Sequence, residues 1–407
     1  MLNNGFVPTL EVDDKLISVP KWIKALFLLY IFLSYFEAYL VSFIGNSTKF
    51  VMLAIIGILL LTHYKNLKVT KITGAFILWF VYLCVSLLWS NMTNPSFKMH
   101  SVALLGSVLL VFVLGGMNFD EDFIRLNLRG HYWISFIFGL LSIFFNEHYH
   151  EDIEARNVLT LFGEQSDPNN CAAFLLIGLS LALYSVIYEN EKIWLNLVVI
   201  IVNGYAILLT ASRAGFLGLG IMIALFVIFY SQLKKTNIYE SSKKIMFILL
   251  AVCSMGYIGL KFLPRMSLDR LILFEEYSGG SGRTEKWYYA LELIKQRPFF
   301  GWGWGGYEYI NWGGIHNTFL SICCDSGIFG SLIFTFPLIL MCGRAIKSKN
   351  VLVVGLLICG LLPSFFIDAI NKRFLWNAII MSTMLMNYHS DAGGKSVKIW
   401  GTTNEIT

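Results

Sequence analysis

NCAAFLLIGLSLALYSVIY, residues Asn170–Tyr188, runs for 19 residues without a charged side chain, and IWLNLVVIIVNGYAILLT, Ile193–Thr210, follows after a short polar turn. About 20 mostly apolar residues are what a helix needs to cross the hydrocarbon core of a bilayer. On that ruler the chain contains about twelve spans: Trp22–Ile44, Lys49–Tyr64, Ile72–Ser90, Met99–Met117, Leu128–Phe145, Asn170–Tyr188, Ile193–Thr210, Ala214–Ser231, Ile245–Leu263, Gly327–Cys342, Val351–Ile370 and Phe374–Tyr388. The sequence therefore predicts an all-α integral membrane protein, a single polytopic domain over residues 1–407. A barrel would need shorter, alternating segments, which are absent.

Composition agrees. Of the 407 residues 56% are hydrophobic and 14% charged, against roughly 25% charged in a soluble chain. Because apolar runs recur from Trp22 almost to His389, a soluble enzyme on a single anchor is excluded, and so is a nucleic-acid-binding domain despite the net charge of +5. The first run is longer than a signal-peptide core and lacks a small-residue cleavage site, so it reads as the first span. The seven cysteines show no Cys-x-x-Cys and no Cys/His cluster at metal-ligand spacing.

Lysine and arginine set the orientation. Lys65, Lys68 and Lys71, then Lys234, Lys235, Lys243 and Lys244, then Arg344, Lys347 and Lys349 all fall on one side of a twelve-span chain, which the positive-inside rule makes cytoplasmic. Both termini are then inside. Two long segments lie outside, residues 146–169 and residues 264–317, the second being the large external loop between spans 9 and 10. Within it the cluster Ser278-Gly279-Gly280-Ser281-Gly282 precedes an amphipathic helix from about Arg283 to Arg297, stopped by Pro298, with Trp287, Ala290, Leu291 and Ile294 as its apolar face. The following Phe299-Phe300-Gly301-Trp302-Gly303-Trp304-Gly305-Gly306-Tyr307 combines turn-forming glycines with rings suited to an interface or to sugar faces.

Three external features could carry chemistry: Arg213 between two apolar runs, Arg283 after the glycine cluster, and His316. Arginine binds phosphate oxygens bidentately and keeps its charge, a helix start behind a glycine-rich turn attracts anions, and imidazole titrates near neutrality as a general base must. Taken singly, each has a plainer reading: a snorkelling anchor for Arg213, a solvated helix start for Arg283, a helix flank for His316. Asp368, in Phe366-Ile367-Asp368-Ala369 of the penultimate span, is an intramembrane carboxylate that either serves the site or pairs with Lys372 or Arg373 one turn on. Asn169 and Asn170 either line a cavity or cap the next helix. Arg265, Arg270 and Arg297 either guide an acidic substrate or solvate the loop, and Glu37 and Asn203 read as packing glue. Asp120-Glu121-Asp122 contains an Asp-x-Asp but reads as a charged helix start.

His316-Asn317, nine residues, then Gly327-Ile328-Phe329-Gly330 fits an H-N-x9-G-x-x-G pattern that resembles the bacterial O-antigen ligase and O-antigen polymerase superfamily. Ser281-Gly282-Arg283…Trp287…Pro298…Gly301-Trp302-Gly303 also resembles it, as do Thr210-Ala211-Ser212-Arg213-Ala214-Gly215 and Asp167-Pro168-Asn169, so the likeness covers roughly Arg156 to Gly330. The resemblance implies a membrane glycosyltransferase with no metal or other cofactor, taking its glycan from an undecaprenyl-diphosphate-linked oligosaccharide on the external face of the bacterial inner membrane. It implies that Arg213 and Arg283 bind the diphosphate and that His316 activates the acceptor hydroxyl for an inverting displacement. Asn317, Asp368, Asn169 and Arg297 stand beside them as supporting candidates. The acceptor would be a second lipid-linked glycan in a polymerase, or lipid A-core in a ligase, with a chain-length regulator as a further partner. The modest external loop favours the polymerase. A transporter would place its site near the midplane and often shows inverted repeats, whereas here the candidates gather at one boundary.

Overall fold

The computed structural model describes residues 16–91, 97–150, 156–233, 238–263, 265–272, 283–307, 314–391 and 397–401. Its helices are α1 (Lys21–Ile44), α2 (Thr48–His63), α3 (Lys71–Ser86), α4 (Phe97–Gly116), α5 (Glu121–Phe144), α6 (Pro168–Tyr184), α7 (Ile193–Leu209), α8 (Arg213–Leu233), α9 (Ile238–Phe262), α10 (Arg265–Ile272), α11 (Arg283–Gln296), α12 (Thr318–Lys347), α13 (Val351–Ser364) and α14 (Arg373–Asp391). Each of the twelve apolar runs contains a helix, and the protein is an all-α membrane protein with one small sheet. By length and composition five helical segments suffice to cross a membrane: Lys21–Ile44, Thr48–Asn66, Lys71–Trp89, Pro168–Glu189 and Thr318–Lys347. Five more apolar helices are shorter, so among the described residues helix length and composition support five crossings of the expected twelve.

The bundle is organised around α6, in which every residue except Asn170 is buried, with α5, α7, α8, α13 and α14 against it. Polar side chains tie helices together where lipid offers no partners. Asn203 of α7 donates to Ser135 Oγ of α5 at 3.0 Å, Tyr30 to Asn377 at 2.7 Å and Tyr132 to Asn196 at 2.7 Å. Glu37 accepts from the Thr48 N–H at 3.0 Å, which fixes the start of α2 against α1. Asp120 caps α5 by accepting from Phe123 N–H at 2.9 Å, and Glu121 pairs with Arg125, so the acidic triplet is a helix start.

Residues 146–169 hold structure that the sequence reading leaves as loop. Strands β1 (Asn146–His148), β2 (Asn157–Leu161) and β3 (Glu164–Gln165) form an antiparallel meander, in the order β1-β2-β3. Phe162 and Gly163, both at positive φ, close β2 onto β3 in a two-residue turn of the kind that matches strand twist. The meander delivers the chain to Asp167, which caps α6.

In α12 the backbone departs from a helix at Gly327, with φ 64° and ψ −168°. An unbroken helix would bond the Ile328 and Phe329 amides to the carbonyls of Cys324 and Asp325. The break frees all four groups, and the loop after Pro298 takes them up. Ile328 N–H donates to Pro298 O at 2.8 Å and Phe329 N–H to Phe299 O at 3.3 Å, while Trp302 and Gly303 N–H donate to Cys324 O and Asp325 O, each at 2.8 Å. Backbone must approach backbone here, and only glycine allows it: a Cβ on Gly301, at φ 68°, would lie 2.5 Å from both Asp325 O and Gly327 N. The loop is then anchored to α3, where Ser86 Oγ accepts from Trp304 N–H at 2.9 Å and Ser90 Oγ donates to Trp304 O at 2.8 Å.

Three boundaries differ from the sequence reading. The last long helix before residue 350 starts at Thr318, not Gly327, because Gly327 is a break inside a helix capped by Asn317. The helix from Val351 ends at Ser364, and residues 365–372 are not helical, so Asp368 is not on a span. On α11, Ala290 and Leu293 are buried, with Trp287 and Ile294 packed beside them, while Leu291 is 43% exposed. The face is set by Tyr307, Ile315 and Cys324, against which α11 lies. At the opposite end of the bundle Lys68, Arg344, Lys347 and His389 line one cavity of about 620 Å³, so two of the three basic loops meet. Lys234, Lys235, the side chains of Lys243, Lys244 and Arg270, and the cluster Ser278–Gly282 lie outside the described residues.

Gly301→Ala is expected to lower the thermal unfolding midpoint of the detergent-solubilised protein, since the left-handed backbone alone costs about 1–2 kcal/mol for an L side chain. Gly343→Ala, in a helix with nothing within 4 Å of the added methyl, is expected to leave the midpoint unchanged or raised.

Candidate active site

Two hydrogen bonds accepted by Asp368 build the site. One carboxylate oxygen accepts from the backbone N–H of His316 at 3.0 Å, and the other accepts from Ser321 Oγ. Thr318, buried one turn before Ser321, donates to Ile367 O at 2.7 Å and accepts from Ala369 N–H at 2.8 Å. The first turn of α12 thus grips residues 367–369 on both sides of the carboxylate. Gly314 closes the same contact, because a Cβ there would lie 2.5 Å from Asp368 Oδ2. The carboxylate bonds across to α12 and not to Lys372 or Arg373, which line a neighbouring cavity.

His316 sits one residue ahead of the cap of α12, at φ 55°. Asn317 Oδ1 accepts from Phe319 N–H at 3.0 Å and Leu320 N–H at 3.1 Å, so its side chain serves the helix. A left-handed histidine costs energy that the surroundings must offset, and the Asp368 contact to its own N–H does so.

Burial is the main influence on the imidazole and lowers its pKa below the ordinary 6.5. Lys286 lowers it further, Asp368 raises it, Arg283 lowers it and Asp167 raises it. His316, Asp368 and Arg283 therefore share one electrostatic neighbourhood, together with Lys286 and Asp167. Arg283 and Lys286 lie one turn apart on α11, where an i, i+3 pair presents two cations on one face. A neutral imidazole next to two permanent cations has the chemistry that a general base beside an anion would need.

Arg213 opens α8, across the start of α6 from its neighbours. Ser212 Oγ donates to Asn169 Oδ1 at 2.7 Å and accepts from Gly215 N–H at 3.1 Å. Asp167 Oδ1 accepts from Asn169 N–H at 2.9 Å and Asn170 N–H at 3.0 Å. Asn169 is thus a buried strut that locks the Arg213 turn to α6, and Asp167 belongs both to that strut and to the field at His316. Arg297 lies about 20 Å along α11 from Arg283, at 1.5 Å per residue, and its guanidinium packs 4.1 Å from the Trp302 ring centroid. That distance keeps Arg283 and Arg297 from gripping one diphosphate.

Asp368 also faces a cavity of about 80 Å³ that includes Thr318, Ser321, Asp325, His100 and Asn371. His100 and Asn371 are shared with a second cavity of about 370 Å³. The sequence reading missed His100, Asn371, Lys286 and Lys49. Only Lys286 carried a local signal, its spacing from Arg283, since the others come from segments far apart in the chain. Among the described residues no group of three or more His, Cys, Asp or Glu side chains is arranged to hold a metal ion.

Residues 197–335 match the model of a family described as O-antigen ligase. An uncharacterized protein of Haemophilus influenzae is 21% identical over 209 residues, covering 43% of this chain and 51% of that protein. The ComP-specific O-oligosaccharyltransferase of Acinetobacter baylyi is 23% identical over 343 residues, covering 74% of this chain and 59% of that protein. The chain spans little more than half the length of these relatives. Arg213, Arg283 and His316 all fall within the family match, whereas Asp368 lies beyond it.

The rate at which diethyl pyrocarbonate acylates His316, followed by mass spectrometry of its peptide, reports the neutral imidazole. Its pH midpoint is expected below 6.5. Lys286→Ala, removing a charge that lowers the pKa, is expected to move the midpoint up, and Asp368→Asn, removing one that raises it, to move it down.

Proposed function

We propose that this chain, which belongs to the O-antigen ligase superfamily, transfers a glycan from a polyprenyl diphosphate, undecaprenyl diphosphate in bacteria, to an acceptor hydroxyl. The observation that carries the reading is the Asp368-held His316 in the electrostatic neighbourhood of Arg283 and Lys286. In the reaction a ring nitrogen of His316 takes the proton of the acceptor hydroxyl. The oxygen bonds to the anomeric carbon while the bond from that carbon to the diphosphate oxygen breaks, which inverts the centre. The departing diphosphate keeps the electron pair, and Arg213 and Arg283 stabilise its charge, the part a metal ion plays in other transferases.

The proposal sets twelve crossings in the bacterial inner membrane, both termini in the cytoplasm, and the His316 end of the bundle outside. Residues 264–317 form the catalytic loop and residues 146–169 a smaller external element. Chain polymerisation is the first reading for the acceptor, as the modest external loop suggests. The Acinetobacter relative, named for transfer of an oligosaccharide to ComP, supports a second reading in which the finished glycan passes to a different acceptor.

Reconstituted protein given its undecaprenyl-diphosphate-linked glycan is expected to release carrier and lengthen product, and His316→Ala to cut the rate by about 10²–10⁴, the usual worth of a general base. Arg283→Ala is expected to weaken donor binding as well. Transfer that proceeds unchanged in His316→Ala contradicts the assignment.

A further inference from the structure

At the far end of α12 from His316, the cavity of about 620 Å³ gathers Lys68, Arg344, Lys347 and His389. Lys68 lies just ahead of α3, Arg344 and Lys347 are in the last turn of α12, and His389 is in the last turn of α14. Among the described residues no acidic side chain lines the cavity. Its uncharged polar side chains serve backbone: the Asn387 amide donates to Gly115 O at 2.8 Å, Thr70 Oγ1 accepts from Thr73 N–H at 3.1 Å, and Asn350 Oδ1 accepts from Val353 N–H at 3.2 Å. Among the described residues the side chains of Arg344 and Lys347 have neither a hydrogen bond nor an ion-pair partner. Cations that converge without a counter-charge repel one another, and a phosphate group, whose oxygens several donors can share, relieves that repulsion.

The ends of the crossing helices add a second, different signal. Of the five segments long and apolar enough to cross a membrane, Thr48–Asn66 stops just before Lys68, Lys71–Trp89 starts just after it, and Thr318–Lys347 stops at Lys347 itself. Three helix ends at one level put these cations where lipid headgroups lie. Charges that only orient a chain in the bilayer need not meet. Lys65 and Lys349 sit in the same two loops, are exposed, and do not line the cavity.

The neighbours of the cations separate a lipid from a soluble phosphate. Val69, beside Lys68, is 71% exposed, and Ile346, beside Lys347, is 59% exposed. A soluble anion uses the cations alone, whereas a phospholipid brings phosphate to the cations and acyl chains to the apolar side chains next to them. We infer that the cavity binds the headgroup of an acidic phospholipid, with the phosphate among Lys68, Arg344 and Lys347 and the acyl chains along Val69 and Ile346. A lipid seated there bridges the ends of α3 and α12 and stabilises the folded bundle by binding it. The length of α12 separates this site from His316, so the inference does not rest on the glycosyl-transfer reading.

Titration calorimetry of the full-length protein in uncharged detergent with short-chain phosphatidylglycerol tests the site. A saturable site is expected, absent with phosphatidylcholine of the same chain length, and the bound lipid is expected to raise the thermal unfolding midpoint. Arg344→Gln/Lys347→Gln is expected to weaken binding by about 10-fold or more, the worth of a charged hydrogen bond, and Lys347→Gln alone to weaken it in the same direction. Arg344→Lys/Lys347→Arg is expected to retain it. Lys65→Gln/Lys349→Gln removes the same charge from the same loops outside the cavity and is expected to bind as the parent does. Unfolding midpoints without lipid check that each variant is folded. Glycerophosphoglycerol, the headgroup without acyl chains, is expected to bind about 10-fold or more weakly than the lipid. Equal binding of headgroup and lipid overturns the lipid assignment in favour of a soluble phosphate. Phosphatidylglycerol bound as tightly by Arg344→Gln/Lys347→Gln as by the parent, or weakened as much by Lys65→Gln/Lys349→Gln, overturns the site.

Discussion

A backbone group buried away from water must find a partner, and in an apolar bundle that rule leaves few ways to break a helix. The structure breaks α12 at Gly327 and repairs it with four bonds from the segment Pro298–Gly303. Each group left unmade would cost about 1–3 kcal/mol, so break and loop are held as one unit. Much follows from that. The loop ties α3 to α12 through Ser86, Ser90 and Trp304, α11 packs against the first half of α12, and His316 is carried at a fixed position ahead of the break. The nine residues between Asn317 and Gly327 are the half-helix that separates the capped start from the repaired break.

Electrostatics at that fixed position are a balance of four charges. Lys286 and Arg283 favour the neutral ring, Asp368 and Asp167 favour the charged one, and burial tips the result to neutral. The same two cations that keep the ring neutral would, in the proposed reaction, also attract an anionic leaving group. Asp368 contributes twice. It holds the His316 backbone in a left-handed conformation and keeps the ring pKa from falling further.

Local patterns in the sequence showed where helices lie, because apolar length is a strong signal, and they flagged Arg213, Arg283 and His316 because charges are rare in so apolar a chain. What escaped depends on contacts between distant segments. Asp368 read as part of a span because Val351–Ile370 is mostly apolar, yet the grip of Thr318 and Ser321 on residues 367–369 holds the chain out of a helix after Ser364. Leu291 and Leu293 are equally apolar, and only the position of Ile315 and Cys324 decides which is buried. The glycines of the Gly-Trp-Gly segment read as turn formers, and Gly301 and Gly303 are needed for close approach to α12 and α3. A cavity lined by Lys49, His100, Asn170 and Lys372 has no sequence pattern at all, since it exists only where α1, α2, α4, α6 and α14 meet.

The most direct test is a structure of the His316→Ala protein with its lipid-diphosphate-linked glycan bound. The account predicts the diphosphate between Arg213 and Arg283, with the anomeric carbon turned toward the missing imidazole and open to attack from the Asp368 side at about 3–3.5 Å. A diphosphate seated among Lys49, Lys372 and Arg373, with Arg213 and Arg283 uninvolved, would contradict it.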